Sequence, residues 1–152
     1  MEINNKKQLS QTSKVDTDAS KKKDATFYYL RGISNYNSDN KEEAEQDFNQ
    51  SVELGQDNCI AYFNRGTFYF NEKKYKNAID DFTRAVRLNH KFAEAYYNLA
   101  CSYVCILSFR EGLANLKKAI KNEKSFAQRA IRDPDFININ KMKEFTEIVT
   151  VA

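Results

Sequence analysis

The chain has 152 residues, 41% of them hydrophobic and 30% charged, with a net charge of +3. That is long enough for one domain with a real core, and too nearly neutral to imply a polyanion such as nucleic acid as partner. No apolar run approaches the roughly 18 residues a membrane span needs, and the N-terminal lysines have no apolar stretch behind them to make a secretory signal. Three cysteines cannot all pair, so with no export signal the expectation is a reducing compartment, the cytoplasm or an organellar interior. Low glycine, a single proline and strong periodicity point to helices.

Residues 1–24 are almost wholly polar, with only Ile3, Leu9 and Val15 as isolated apolar side chains. Such a segment buries too little surface to offset its ordering entropy and reads as a disordered tail; Lys21, Lys22 and Lys23 read as its solvated flank. At Ala25 the pattern changes. Phe27, Tyr28, Leu30 and Ile33 open an amphipathic helix that should fade near Asn37, followed by a capping turn at Ser38, Asp39 and Asn40. A second helix carries Ala44, Phe48, Ser51, Val52 and Leu54 at spacings of three and four. Gly55 is expected to end it in a left-handed conformation.

The same skeleton then returns. Shifted by 34 residues, Gly66 falls on Gly32, Ala78 on Ala44 and Phe82 on Phe48, while Tyr62 falls on Tyr96, Tyr69 on Tyr103 and Ala85 on Ala119. A fixed period of this length is the mark of a helical array. The copies run over residues 25–58, 59–92 and 93–126, the last with its second helix from about Phe109 to Asn122. A fourth begins with Ala127, Ala130 and Ile131, but Asp133 and Pro134 interrupt it. Phe136, Ile137 and Ile139 lead to a final helical stretch with Met142, Phe145, Ile148 and Val149. Residues 127–152 therefore read as a terminal cap, which an array needs because its last repeat has no neighbour. The fold class expected is all-α, a right-handed solenoid of antiparallel helix pairs.

The pattern resembles the tetratricopeptide repeat, a 34-residue helix-turn-helix unit. The second copy carries it at Tyr62, Gly66, Tyr69, Ala78, Phe82 and Ala85, with Arg65 where a large apolar residue is usual. The third carries it at Tyr96, Leu99, Ala100, Tyr103 and Ala119, with Gly112 and Leu116 as replacements. The first keeps Tyr28, Gly32, Ala44 and Phe48 but has Asn35 and Ser51 in place of an aromatic and an alanine. The proline that often closes a repeat is replaced by Gln56, His90 and Lys124. The physical sense is direct: small residues at Gly32, Gly66 and Ala100 let paired helices approach, and Tyr69 and Phe82 fill the space beside them.

The resemblance implies a function in binding proteins, with the first helix of each pair lining a concave groove. Groove positions are then Tyr29 and Ile33 in the first copy, Phe63, Asn64, Thr67 and Phe70 in the second, and Tyr97, Asn98 and Cys101 in the third. Aromatics offer contact area at low entropic cost, and an asparagine can both donate to and accept from an extended backbone. An apolar or aromatic-containing segment of a partner protein suits that lining. Relatives that receive the acidic C-terminus of heat-shock chaperones use a clamp of lysines, asparagines and an arginine. Of that clamp this chain keeps Asn64 alone, and it places Glu94 where a basic group would be needed, so a chaperone tail is not expected.

No catalytic constellation, metal site or cofactor motif is expected. His90 lies in an inter-repeat turn and reads as a surface residue. Cys101 and Cys105 share a helix face without the further ligands zinc needs, and read as small apolar wall. The acidic pairs Glu42-Glu43 and Asp80-Asp81 should lie on solvated faces of second helices. The function expected is that of a non-catalytic interaction module or adaptor, of assembly-factor or co-chaperone type. The alternatives are a self-assembling scaffold in which repeats stack between chains, and a helical repeat that binds RNA.

Overall fold

The computed structural model describes residues 24–150. The expected polar tail thus lies outside the described residues, except that Asp24 already belongs to a helix. The described regular structure is helical throughout: α1 over residues 24–37, α2 Lys41–Leu54, α3 Cys59–Asn71, α4 Tyr75–Leu88, α5 Ala93–Cys105, α6 Phe109–Asn122, α7 Ser125–Arg132, a 3-10 turn Pro134–Phe136, and α8 Lys143–Thr150. Helices α2, α4 and α6 each have 14 residues, and α3 and α5 each have 13. The chain divides into two compact units, one ending at Asp57 and one beginning at Asn58.

In the first unit α1 pairs with α2 through the contact the sequence suggests. A Cβ added to Gly32 would lie 3.1 Å from the Phe48 ring and 3.3 Å from Asp47 Cβ. Ser51 is buried in place of the usual alanine, and its hydroxyl donates to the Ala25 carbonyl at 2.9 Å, which satisfies the hydroxyl inside an apolar seam. Arg31 reaches across to the buried Asp47, its Nε donating to Oδ2 at 2.8 Å, and the Asn35 amide donates to the same oxygen at 3.0 Å.

The second unit repeats this scheme between α3 and α4. A Cβ on Gly66 would stand 2.9 Å from the Phe82 ring, so only a glycine allows this approach. Ala78, Phe82 and Ala85 have no exposed surface. Arg65 forks onto Asp81, Nε to Oδ2 at 2.8 Å and Nη2 to Oδ1 at 2.7 Å. Asp81 is 4% exposed, which corrects the solvated placement expected for it; Asp80, Glu42 and Glu43 are exposed. Burial pushes the Asp81 carboxyl up, and the bidentate bond from Arg65 pulls it back. In the α5/α6 pair the two corresponding positions are Leu99 and Asn115. Leu99 is buried, as are Ala100, Leu116 and Ala119, and Asn115 instead donates to the Glu111 carbonyl of its own helix.

The turns inside the pairs also recur. Asp39, Lys73 and Leu107 hold the left-handed conformation, with φ of 62°, 58° and 64°. Beyond them the N–H groups of Asn40, Lys74 and Ser108 donate to the carbonyls of Asn35, Tyr69 and Tyr103, closing the end of each first helix. Two expectations are corrected here. Gly55 ends α2 with φ −117°, outside the left-handed region, and Asn40 makes no side-chain cap bond. The special backbone falls one turn earlier, where the helices reverse, because reversal between paired helices demands it in every copy.

The cap follows the break at Pro134. Helix α7 stops at Arg132, and the Asp133 carboxylate accepts from the Asp135 N–H at 3.0 Å, opening the 3-10 turn. Phe136 and Ile139 are fully buried, and α8 turns Phe145 and Val149 inward.

Two outcomes follow for stability. Arg65→Leu alone strands a buried carboxylate and should cost ~3–5 kcal/mol, whereas Arg65→Leu with Asp81→Asn, the pair found in the third copy, should come within about 1 kcal/mol of the parent; denaturant titration of the three proteins measures both. Leu107→Gly, which relieves a branched residue in the left-handed region, should raise stability by roughly 1 kcal/mol in the same assay.

Candidate functional site

Within the second unit, the exposed edges of α3 and α5 and the segment from α7 to the 3-10 turn enclose a cavity of about 320 Å³. Helix α3 contributes Phe63, Asn64, Thr67 and Phe70, spaced at one, three and three residues so that all fall on one face. Helix α5 contributes Glu94, Tyr97, Asn98 and Cys101, at steps of three, one and three that again fall on one face. The cap adds Arg129, Asp133 and Asp135. Seven of the nine groove positions read from the sequence thus line one cavity. The other two, Tyr29 and Ile33, are half-buried on α1 in the first unit, where the Tyr29 ring lies 6.5 Å from that of Phe48.

These side chains differ in how free they are. Phe63 is half-buried, with ring centroids 4.8 Å from Phe92 and 5.8 Å from Phe82, so it supports the core as well as the cavity. Phe70 meets the Tyr75 ring at 5.5 Å. The Thr67 hydroxyl donates to the Phe63 carbonyl of its own helix. Asn64 and Asn98 are half-buried, and neither side-chain amide has a hydrogen-bonding partner among the described residues, while no buried polar atom is left unsatisfied there. Both amides are therefore open to the cavity water.

Tyr97 departs most from its expected role. It is fully buried, its ring 4.8 Å from Phe126 and 5.5 Å from Phe136, and its hydroxyl donates to Asp133 Oδ2 at 2.7 Å. Burial and the neighbouring carboxylate push its phenol up, so it stays protonated as the donor. Tyr97 forms the floor and anchors the cap to α5.

Electrostatically the cavity is mixed. The Arg129 guanidinium lies 4.5 Å above the Tyr97 ring and 3.9 Å from Glu94. The Cys101 sulfur and the carboxylates of Asp133 and Asp135 lie within 4.8 Å of one another. Burial first, then the two carboxylates, push the thiol up. A thiol held protonated is a poor nucleophile. It lies beside Asp135, whose carboxyl burial and Asp133 hold above the usual range. Asp133 and Asp135 were not foreseen as site residues. The sequence showed Asp133 only as part of a helix break with Pro134, and nothing in the period could place a segment outside it.

Antiparallel helix pairs recurring with one spacing define an all-α helical-repeat protein. Profiles for the tetratricopeptide repeat match residues 25–58 and 59–92, and the chain is a tetratricopeptide repeat protein. The sequence matches none of the curated proteins. Among solved structures it is similar to the first such domain of Spaghetti (RPAP3) bound to the HSP90 peptide SRMEEVD, with TM-score 0.66, 18% identity, and 86% of this chain and 94% of that one covered. It is similar to the Arabidopsis OM64 domain, with TM-score 0.64, 18% identity and 72% and 95% covered. It also resembles the MamA protein, with TM-score 0.62, 24% identity and 69% and 57% covered. At these identities the likeness concerns the fold. A neighbour that holds an acidic chaperone peptide lends no support to the exclusion of such a tail drawn from the sequence. Among the described residues no helix is long and apolar enough to cross a membrane.

The Tyr97 bond gives a direct check. Tyr97→Phe keeps the ring stack but removes the donor to Asp133, and should cost about 1.5–3 kcal/mol. Amide hydrogen exchange in residues 125–150 should quicken more than in α3 and α4.

Proposed function

We propose that this chain is a non-catalytic adaptor that holds a segment of a partner protein in the cavity between α3, α5 and the cap. In this reading residues 93–126 act as a third repeat and the segment from 127 onward closes the groove it ends. The observation that carries the reading is the pair of unengaged amides, Asn64 and Asn98, set at the repeat spacing beside Phe63 and Phe70. An extended peptide presents alternating donors and acceptors, and two amides in register can meet them while the rings take an apolar side chain.

A second reading has one observation in its favour. A structural neighbour was solved with the peptide SRMEEVD, and Arg129 lines the cavity here. An acidic tail would have to draw that arginine from Glu94 and approach two further carboxylates, an arrangement that disfavours it electrostatically.

Asn64→Ala with Asn98→Ala is the cleaner test than any change at Phe63, which also props Phe82. The double variant should lose partner capture by roughly tenfold or more, since each lost amide removes hydrogen bonds of about 0.5–1.5 kcal/mol. Its circular dichroism and melting temperature should match the parent. Capture unchanged in a folded double variant rejects the groove. Saturable binding of SRMEEVD by the parent, lost in Arg129→Ala, would favour the acidic-tail reading.

A further inference from the structure

The cavity carries an uneven charge. Its ionisable lining beside the thiol is Glu94, Arg129, Asp133 and Asp135. Arg129 is already placed, stacked on Tyr97 and 3.9 Å from Glu94, so that one cation and one acid face each other. Asp133 and Asp135 remain, and neither has a salt-bridge partner among the described residues.

What bonds these two carboxylates do make are neutral ones. Asp133 accepts from the Tyr97 hydroxyl and from the Asp135 N–H. Asp135 has the Cys101 thiol, a weak donor, close beside it. A carboxylate has about four lone-pair sites, so both keep acceptor capacity toward the cavity. Burial already holds the Asp135 carboxyl above its ordinary range, the condition that a bound cation relieves. The volume of about 320 Å³ is at the low end for ligand cavities, roughly 300–1,000 Å³. It suits one long side chain rather than a helix. The walls beside the acids are the Phe70 ring and the two open amides.

We propose that the cavity is a receptor for a lysine or arginine side chain of the partner segment, its charged head on Asp133 and Asp135 and the flanking backbone held by Asn64 and Asn98. This rests on the groove reading above and adds to it the chemistry of the ligand. A long basic side chain matches such a site because its apolar stem can lie on an aromatic wall while its head meets the carboxylates.

The test is selection of a displayed random heptapeptide library on the full chain, followed by titration of the synthetic winning peptide. The expected result is enrichment of Lys or Arg at one fixed position beside an apolar residue. The winning peptide should bind roughly tenfold or more weakly to Asp135→Asn, and as weakly when its basic residue is replaced by norleucine, with the circular dichroism of the variant unchanged. Asp135 serves better than Asp133 as the variant because Asp133 also opens the 3-10 turn and anchors Tyr97. Peptides that are apolar without a basic position, yet lost in the Asn64→Ala and Asn98→Ala double variant, overturn the cation site and leave the groove standing. Enrichment of acidic peptides, or a basic position indifferent to Asp135→Asn, overturns it equally. Selected peptides indifferent to the double amide variant, or no selection at all, overturn the groove itself.

Discussion

The structure depends on how closely the two helices of a pair can approach. At Gly32 and Gly66 the first helix presents no side chain at all to the aromatic ring of the second, and a single added carbon would stand 3.1 or 2.9 Å from that ring. Interiors pack like crystals, so a contact this tight fixes the rotation of both helices about their own axes. Everything that points elsewhere is then determined. Residues one position before each glycine aim at the partner helix, and residues on the opposite edge of α3 and α5 are left to face the cavity.

The Arg31–Asp47 and Arg65–Asp81 pairs show how the second level of order is added. Each spans 16 residues and joins the two helices of one copy. Ion pairs with a buried carboxylate are weak contributors to net stability, but they penalise any register that separates them. The third copy carries Leu99 and Asn115 instead, and gains its hold by apolar burial. That the two positions change together within one chain is consistent with their being coupled, and it is why the stranded charge rather than the lost bond should dominate the single variant.

Much of the fold was legible because it repeats. The helix lengths, the turn positions and the core set at Ala78, Phe82 and Ala85 are each written more than once, so the period could be read against chemical noise. Asp81 was misread because a carboxylate beside Asp80 looks solvated until its partner on the preceding helix is known. The signal existed, since an arginine and an aspartate 16 residues apart recur at the repeat spacing. The left-handed residues were missed for another reason. Asp39, Lys73 and Leu107 share no side-chain chemistry, so the backbone demand leaves no mark on composition. Tyr97 was read as groove by its register; what buries it is the cap, which belongs to no period.

That last point bears on how such a site arises. A repeat array has a neighbour problem at its end, where the last pair exposes an apolar face. Here the chain solves it with a broken helix, and the break at Pro134 is what brings Asp133 and Asp135 back over α5. Had α7 continued unbroken, its polar residues would have faced solvent along a regular path. The interruption turns two carboxylates inward, and the buried Tyr97 hydroxyl and the Asp135 N–H supply the donors that make the burial of Asp133 tolerable. The segment that seals the core is thus the one that adds the charged wall of the cavity. Stability and the chemistry of the cavity are coupled at this end of the chain, and a change that loosens the cap should alter the cavity before it unfolds the repeats.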